Sequence, residues 1–337
     1  MTHSKATTIE ATYRIVTPMF CSGADQKSAE LRVPSFKGAL RFWWRAAEWG
    51  RFCSAANGDQ QKALNALRNE EDTLFGSCGS GQSRILLSIS GTRPDDSELV
   101  RDWPHNKPPF GSTYLGFGIT ESGRLGSHNY KPHRNGLPCG NDIRVVCRIR
   151  PGRDPVDSAS VIRTLRLLGL VGGLGSRSRR GFGSIAILEI DGEDCTCQSP
   201  TEYRQRIRES LLPEALSGPW PPYTAVSSDL LIADVSAGPD AFQTHNELGE
   251  RYREFRGQPG PHRGASKRPL GLPLKNVDED RRRASPLLMH VHPVGQGFLG
   301  SVLFLPAQFH PEIRDGNSCS FYEIARTWLL EMKGGKL

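Results

Sequence analysis

Residues 172–183 read Gly-Gly-Leu-Gly-Ser-Arg-Ser-Arg-Arg-Gly-Phe-Gly, five glycines and three arginines in twelve positions. Glycine admits positive φ and a close approach of the backbone to a ligand. Successive N–H groups in such a turn form an anion-binding concavity, and each guanidinium offers a planar fork that matches phosphate. Gly172, Gly173, Gly175, Ser176, Arg177, Arg179, Arg180 and Gly181 are therefore candidate contacts to a sugar-phosphate backbone. The plainer reading is a flexible basic loop. Mononucleotide chemistry does not fit. A P-loop needs Gly-x-x-x-x-Gly-Lys-Ser/Thr after a strand and before a helix. Here a helix-like run, Val161–Val171, comes first and a strand-like run, Ser184–Ile190, follows, without the Lys-Ser/Thr pair. The same order excludes a Rossmann turn.

Basic residues recur in windows free of acids. Leu31–Ala47 holds Arg32, Lys37, Arg41 and Arg45; Ser158–Leu188 holds Arg163, Arg166 and the loop arginines; Phe255–Val277 holds Arg256, Arg263, Lys267, Arg268 and Lys275. Over 337 residues the net charge is +7, which favours an acidic partner, nucleic acid first. Three such windows suggest an extended groove, although any one of them also reads as a solvated face. Arg124–Arg134 adds His128, Tyr130, Lys131, His133 and Arg134, a mixture of charge and rings suited to single-stranded RNA. Arg282 and Arg283 follow Asp278-Glu279-Asp280 in a charged turn and could touch phosphate or a partner protein.

Other chemistry is weakly supported. The eight cysteines show no Cys-x-x-Cys pair, so neither a zinc site nor, without a signal peptide, a disulfide framework is expected. His290-Val291-His292 puts two imidazoles on one face of a strand, but a third ligand is missing. No metal or cofactor is expected. No apolar run approaches a membrane span, and a reduced cytoplasmic protein is the expectation.

The elements that must position these groups follow from periodicity. Ile9, Ala11, Tyr13 and Ile15 alternate in a first strand that Thr17-Pro18 ends. Pro34 opens a helix with Phe36, Leu40, Trp43 or Trp44, and Ala47 on one side and Lys37, Arg41 and Arg45 on an adjacent stripe. Gln60–Asn69 continues as helix, Arg84–Ser90 is a short strand, and the long polar stretch 91–141 is expected to hold a hairpin near Tyr114–Ile119. Ile143–Ile149 is a strand and Pro155–Val171 a helix. Cys195–Ser199 reads as a linker. Beyond it come helix 202–212, strand 229–235, helix 241–255, a basic loop 256–275, a hairpin over 287–294 and 298–305 turning at Gly295-Gln296-Gly297, and a last helix 320–332. The first half thus reads strand, helix, strand, strand, helix, strand, the ferredoxin-like or RRM-like order. The second repeats it without an obvious last strand. The fold class is α+β: tandem ferredoxin-like (βαββαβ) domains, 1–197 and 198–337, with long loop insertions. The RRM stacking motif is absent, so RNA binding must rest on the loop and the basic helix.

Several stretches share a family likeness: Thr17-Pro18-Met19-Phe20, Glu30–Ala46 with its Lys37-Gly-Ala-Leu-Arg-Phe-Trp-Trp-Arg45 core, Gly172–Gly183, Leu270-Gly271-Leu272-Pro273 and Arg282–Leu287. Together they resemble the RAMP superfamily of CRISPR proteins, and within it the first subunit of type III-B (Cmr) effector complexes. The resemblance covers most of the chain; the helix motif is its most specific part. It implies tandem ferredoxin-like domains and a place among other Cmr-type subunits around a CRISPR guide RNA. It also implies a position towards the 3′ end of the guide, contact with target RNA, and a binding role, with target cleavage performed elsewhere. By motif, Lys37, Arg41, Arg45 and the loop residues become RNA-facing; Tyr130, Lys131, Arg134, Arg263, Lys267, Arg268, Arg282 and Arg283 are weaker RNA or partner candidates. The alternative is a RAMP-type, metal-independent endoribonuclease that processes guide precursors. It would need a base and an acid at the 2′-hydroxyl and the leaving oxygen, and His128, Tyr130, Lys131 and His133 are the compact set of that type.

Overall fold

Alternation in β1 (Thr7–Ile15) is carried into the structure without change: Ile9, Ala11, Tyr13 and Ile15 are buried and their neighbours face outward. A computed structural model of the chain describes residues 6–23, 28–91, 110–119, 135–151, 157–258, 264–274, 276–310, 312–313, 319–332 and 335–337. Next come α1 (Val33–Ala55), entered through Pro34, and α2 (Gln60–Phe75), a separate helix because Asp59 caps it by accepting from the Lys62 amide at 3.0 Å. Then follow β2 (Ile85–Gly91), α3 (Phe110–Leu115), β3 (Asp142–Ile149), α4 (Ser158–Val171), β4 (Ile185–Ile190) and the two-residue β5 (Glu193–Asp194). These five strands form one antiparallel sheet in the order β2-β3-β1-β4-β5.

The inner face of that sheet packs on α1, α2 and α4 through Tyr13, Phe36, Leu40, Trp44, Leu165 and Leu168. The outer face carries cross-strand ion pairs, Arg14–Asp142 at 2.8 Å and Arg144–Glu10. Thr8, Thr12 and Arg148 share it with Leu86, and β1–β3 turn no aromatic ring outward. A stacking platform of the RRM kind is therefore missing from this face.

The second half contains α5 (Pro200–Glu209), α6 (Pro213–Ser217), β6 (Leu231–Gly238), α7 (Ala241–Gly257), a 3-10 turn (Gly264–Leu270), β7 (Leu287–Val294), β8 (Gly297–Phe304), a second 3-10 turn (Cys319–Tyr322) and α8 (Glu323–Glu331). Its three strands are antiparallel in the order β6-β8-β7. Consecutive residues along each strand are buried because both faces are covered. Leu231, Ala233, Val302 and Phe304 pack on α7 and α8, while Ile232, Leu288 and Leu303 join the core of the first sheet. The fold is thus mixed helix and sheet, with two antiparallel sheets among the described residues. No helix among the described residues is long and apolar enough to cross a membrane.

Three expectations change. The strand missing from the second half is represented by one bridge at the free edge of β6: Ile232 and Gly335 exchange both backbone hydrogen bonds at 3.0 Å. Residues 114–119 form the end of α3 and a turn, not a hairpin. Gly111 and Gly249 bring the α3 and α7 backbones into direct contact, where a Cβ on Gly111 would lie 1.8 Å from the Asn246 carbonyl oxygen. The hairpin is replaced because α3 is held in place by this tertiary contact. Cys195–Ser199 is no solvated linker: Cys195 and Cys197 are buried core residues, and the Cys197 carbonyl accepts from the Gly295 amide at 2.9 Å.

Candidate nucleic-acid interface

The glycine-rich segment between α4 and β4 folds back on itself and against the end of β1. Gly175 and Gly183 have φ of 85° and 60°. A Cβ on Gly183 would sit 1.9 Å from the Leu174 carbonyl oxygen, and one on Gly175 would sit 2.7 Å from that of Phe20. Their conformational freedom thus closes the loop onto protein. The Thr17–Phe20 stretch receives it. Thr17 Oγ1 donates to the Gly181 carbonyl at 2.7 Å and accepts from the Ser184 amide; Gly183 N donates to Pro18 O and Ser176 N to Phe20 O.

Three buried imidazoles fix the loop further. His245 of α7 lies between the Arg180 carbonyl (Nε2, 3.0 Å) and the Ser112 hydroxyl (Nδ1, 2.8 Å). A carbonyl only accepts, so Nε2 carries the proton and Nδ1 accepts from serine. By the same argument His290 Nδ1 donates to the Gly172 carbonyl at 2.8 Å, and its Nε2 accepts from His292 Nδ1 at 3.3 Å. His292 stacks on Tyr203, centroids 4.6 Å apart. Burial pushes His245 and His290 down to about 4, so both are neutral at pH 7; burial, then His290 and Arg206, hold His292 well below its ordinary value. The His290–His292 pair is a structural hydrogen-bond chain. No group of three or more potential metal ligands occurs among the described residues.

So held, the loop presents its arginines to a cavity of ≈ 460 Å³. Arg177, Arg179 and Arg180 form one wall; Arg256 at the end of α7, Arg283 and Ser285 ahead of β7, and the apolar Leu270–Leu274 segment complete it. No carboxylate among the described residues lines it. Arg179 donates to the Ser285 carbonyl at 2.8 Å and lies 5.2 Å over the Phe42 ring of α1. Arg180 lies 4.7 Å over Tyr252, and its Nη1 is buried with no hydrogen-bond partner among the described residues. Burial, with repulsion from Arg283 and Arg180, lowers Arg179 to about 10; burial and Arg180 lower Arg177. An anion in the cavity would relieve both the desolvation and the repulsion.

The other candidates divide. Arg41 pairs with Glu71 and Asp72, and Arg45 lies 3.5 Å from Glu71, so that stripe is largely neutralised; Lys37 has no acid partner among the described residues. Arg163 is tied to Glu48 and Arg166 to Glu193. Lys267 donates to the Arg256 carbonyl, Arg268 pairs with Asp278, and Arg282 turns to carbonyls of its own loop. Arg283 joins the cavity. Gly172, Gly173, Gly175, Ser176 and Gly181 shape the loop. His128, Tyr130, Lys131, His133, Arg134 and Arg263 lie outside the described residues. Arg256 was not among the sequence candidates, although it heads the third acid-free window.

The family model described as the RAMP superfamily matches residues 12–186. The chain is 28% identical over 311 residues to "CRISPR system Cmr subunit Cmr1-1" of Pyrococcus furiosus, covering 85% of this chain and 83% of that protein. It is 39% identical over 182 residues to Cmr subunit Cmr1-2 of the same organism, 51% of this chain and 90% of the relative. In fold it is similar to the apo crystal structure of Cmr1 from Pyrococcus furiosus, with TM-score 0.60 and 23% identity over 96% of this chain and 97% of that one. It is also similar to a chain of the type III-B Cmr-beta complex bound to cognate target RNA, with TM-score 0.60 and 11% identity over 97% and 98% of the two chains.

Proposed function

The chain belongs to the RAMP superfamily, and from that premise we propose that it works as a non-catalytic, RNA-binding subunit of a type III-B CRISPR effector complex. It would engage guide RNA, target RNA or both near the guide 3′ end, among other Cmr-type subunits in the cytoplasm, in antiviral defence. The relatives named as Cmr subunits support the assembly. One observation carries the RNA reading: five arginines converge on one cavity, and among the described residues no carboxylate lines it and the buried Nη1 of Arg180 has no acceptor. A phosphate supplies what is missing.

The finer fold reading supports the same assignment. Order β2-β3-β1-β4, with helical connections before β2 and β4, is that of a ferredoxin-like unit, and β6-β8-β7 is the same order without the last strand. We take residues 1–197 and 198–337 as tandem units of this kind. The arginine cavity lies where the loop of the first meets the second: Arg180 bridges to Met289 of β7, and the Met289 amide donates to the Arg179 carbonyl.

The mechanism is phosphate neutralisation. Base sequence would be read by guide–target pairing, while Arg177, Arg179, Arg180, Arg256 and Arg283 hold the backbone, with Lys37 a further contact on α1. Binding of single-stranded RNA by the purified chain, followed across a salt series, is expected to weaken with a slope of about 0.7 per phosphate contacted. RNA binding that is absent, or indifferent to salt, refutes the proposal.

A further inference from the structure

Phe117 has the most exposed large apolar side chain among the described residues, with 68% of its surface accessible. A single exposed ring is ordinary on a protein surface; the mounting of this one is not. Phe117 lies between two glycines, each seated on the glycine-rich loop. A Cβ on Gly116 would lie 3.2 Å from the Phe182 ring, and one on Gly118 would lie 2.7 Å from Arg177 Nη2. Gly118 has φ of 87°, and the turn is closed by Ile119 N donating to Gly116 O at 2.8 Å. Leu115 and Ile119, on either side, are buried in the core with Phe182. The turn is therefore fixed at both ends, and the Gly118 backbone next to the exposed ring lies against the guanidinium of Arg177, which lines the arginine cavity.

Resting on the RNA reading of that cavity, we infer that Phe117 is a base-stacking residue. It receives the face of an unpaired nucleobase whose phosphate is held by Arg177. Every base has a π-face, so such a contact is tolerant of sequence, as a subunit that leaves sequence reading to base pairing requires. A rigid mount means that little ordering cost remains when the base arrives. The inference also accounts for how bases are engaged by a protein whose first sheet lacks outward aromatic rings on β1–β3. The ligand class is single-stranded RNA with at least one base free to splay out; a fully paired duplex has no accessible base face.

The test compares fluorescein-labelled oligoadenylate with an oligonucleotide of equal length and charge that lacks bases, each titrated against the full chain and against Phe117→Ala. The wild type is expected to prefer oligoadenylate by roughly tenfold, from the usual size of one base–aromatic stack. In Phe117→Ala that preference collapses to about the level of the abasic ligand. The salt slope stays unchanged because no phosphate contact is lost, and Phe117→Trp restores the preference. The ring is exposed, so a thermal melt should not distinguish the variant from wild type. A preference that persists at full size in Phe117→Ala overturns the inference and leaves the RNA reading standing. Failure of the wild type to bind either ligand overturns both.

Discussion

Replacing Arg177, Arg179 and Arg180 together with alanine should weaken single-stranded RNA binding on the order of 10²–10⁴-fold. A hydrogen bond to a charged group contributes about 1.5–3 kcal/mol, lessened here by the partial exposure of Arg177; three such contacts sum to roughly 3–6 kcal/mol. The salt slope should fall by about 2, from about 0.7 per contact. The loss should be similar for unrelated RNA sequences, because these groups address phosphate. Arg179 also donates to the Ser285 carbonyl, so some stability is lost with it; Arg177→Ala/Arg180→Ala, which spares that bond but gives up the Arg180–Tyr252 contact, should lose affinity in the same direction with a smaller drop in melting temperature than the triple variant. Equal affinity and slope in both variants would make the loop a docking or structural element.

Acid should destabilise the protein before its carboxylates titrate. His245 and His290 sit near 4 when folded, against about 6.5 when unfolded. Below pH 6.5 the unfolded chain takes up protons that the folded chain refuses, so stability is complete above 6.5 and lost progressively down to about pH 4. Each shift corresponds to roughly 3 kcal/mol by pH 4, and His292 adds in the same sense. Carboxylates such as Glu202 and Asp278 are held below their ordinary range, Glu202 by the Gln198 amide and Arg206, Asp278 by Arg268 and Arg281. Their contribution is lost later, towards lower pH. The melting temperature is expected to be level from pH 7.5 to 6.5 and to fall steadily to pH 5. His245→Gln/His290→Gln, which cannot take up these protons, should flatten that limb even if its melt at pH 7 is lower. A level profile down to pH 5 in the wild type would show that these imidazoles are not held neutral.

Local order was the part most readable from sequence. The alternation of β1 and β3, the helix entered at Pro34, and the β7–β8 hairpin about Gly295 all rest on periodicity and turn chemistry, which act within a few residues. Pairings across distance were not readable. Arg41 and Arg45 lie in a window without acids, yet Glu71 and Asp72 reach them from the next helix. Absence of acid along the chain is not absence in space. Conversely, Arg256 joins the cavity because α7 ends beside the loop, which no local pattern announces. The burial of Cys195 and Cys197 and the Gly111–Gly249 contact depend likewise on how the second sheet docks. The glycine-rich loop stood out at once, but its glycines close the loop on Phe20 and Leu174, and its arginines face the cavity.

The most direct test of the central claim is ultraviolet cross-linking of single-stranded RNA to the full wild-type chain, with the attached peptides identified by mass spectrometry. RNA held in the arginine cavity predicts adducts within residues 177–180, 270–274 and 283–285. Adducts confined to the outer face of β1–β3, or to helix α1 alone, would contradict it.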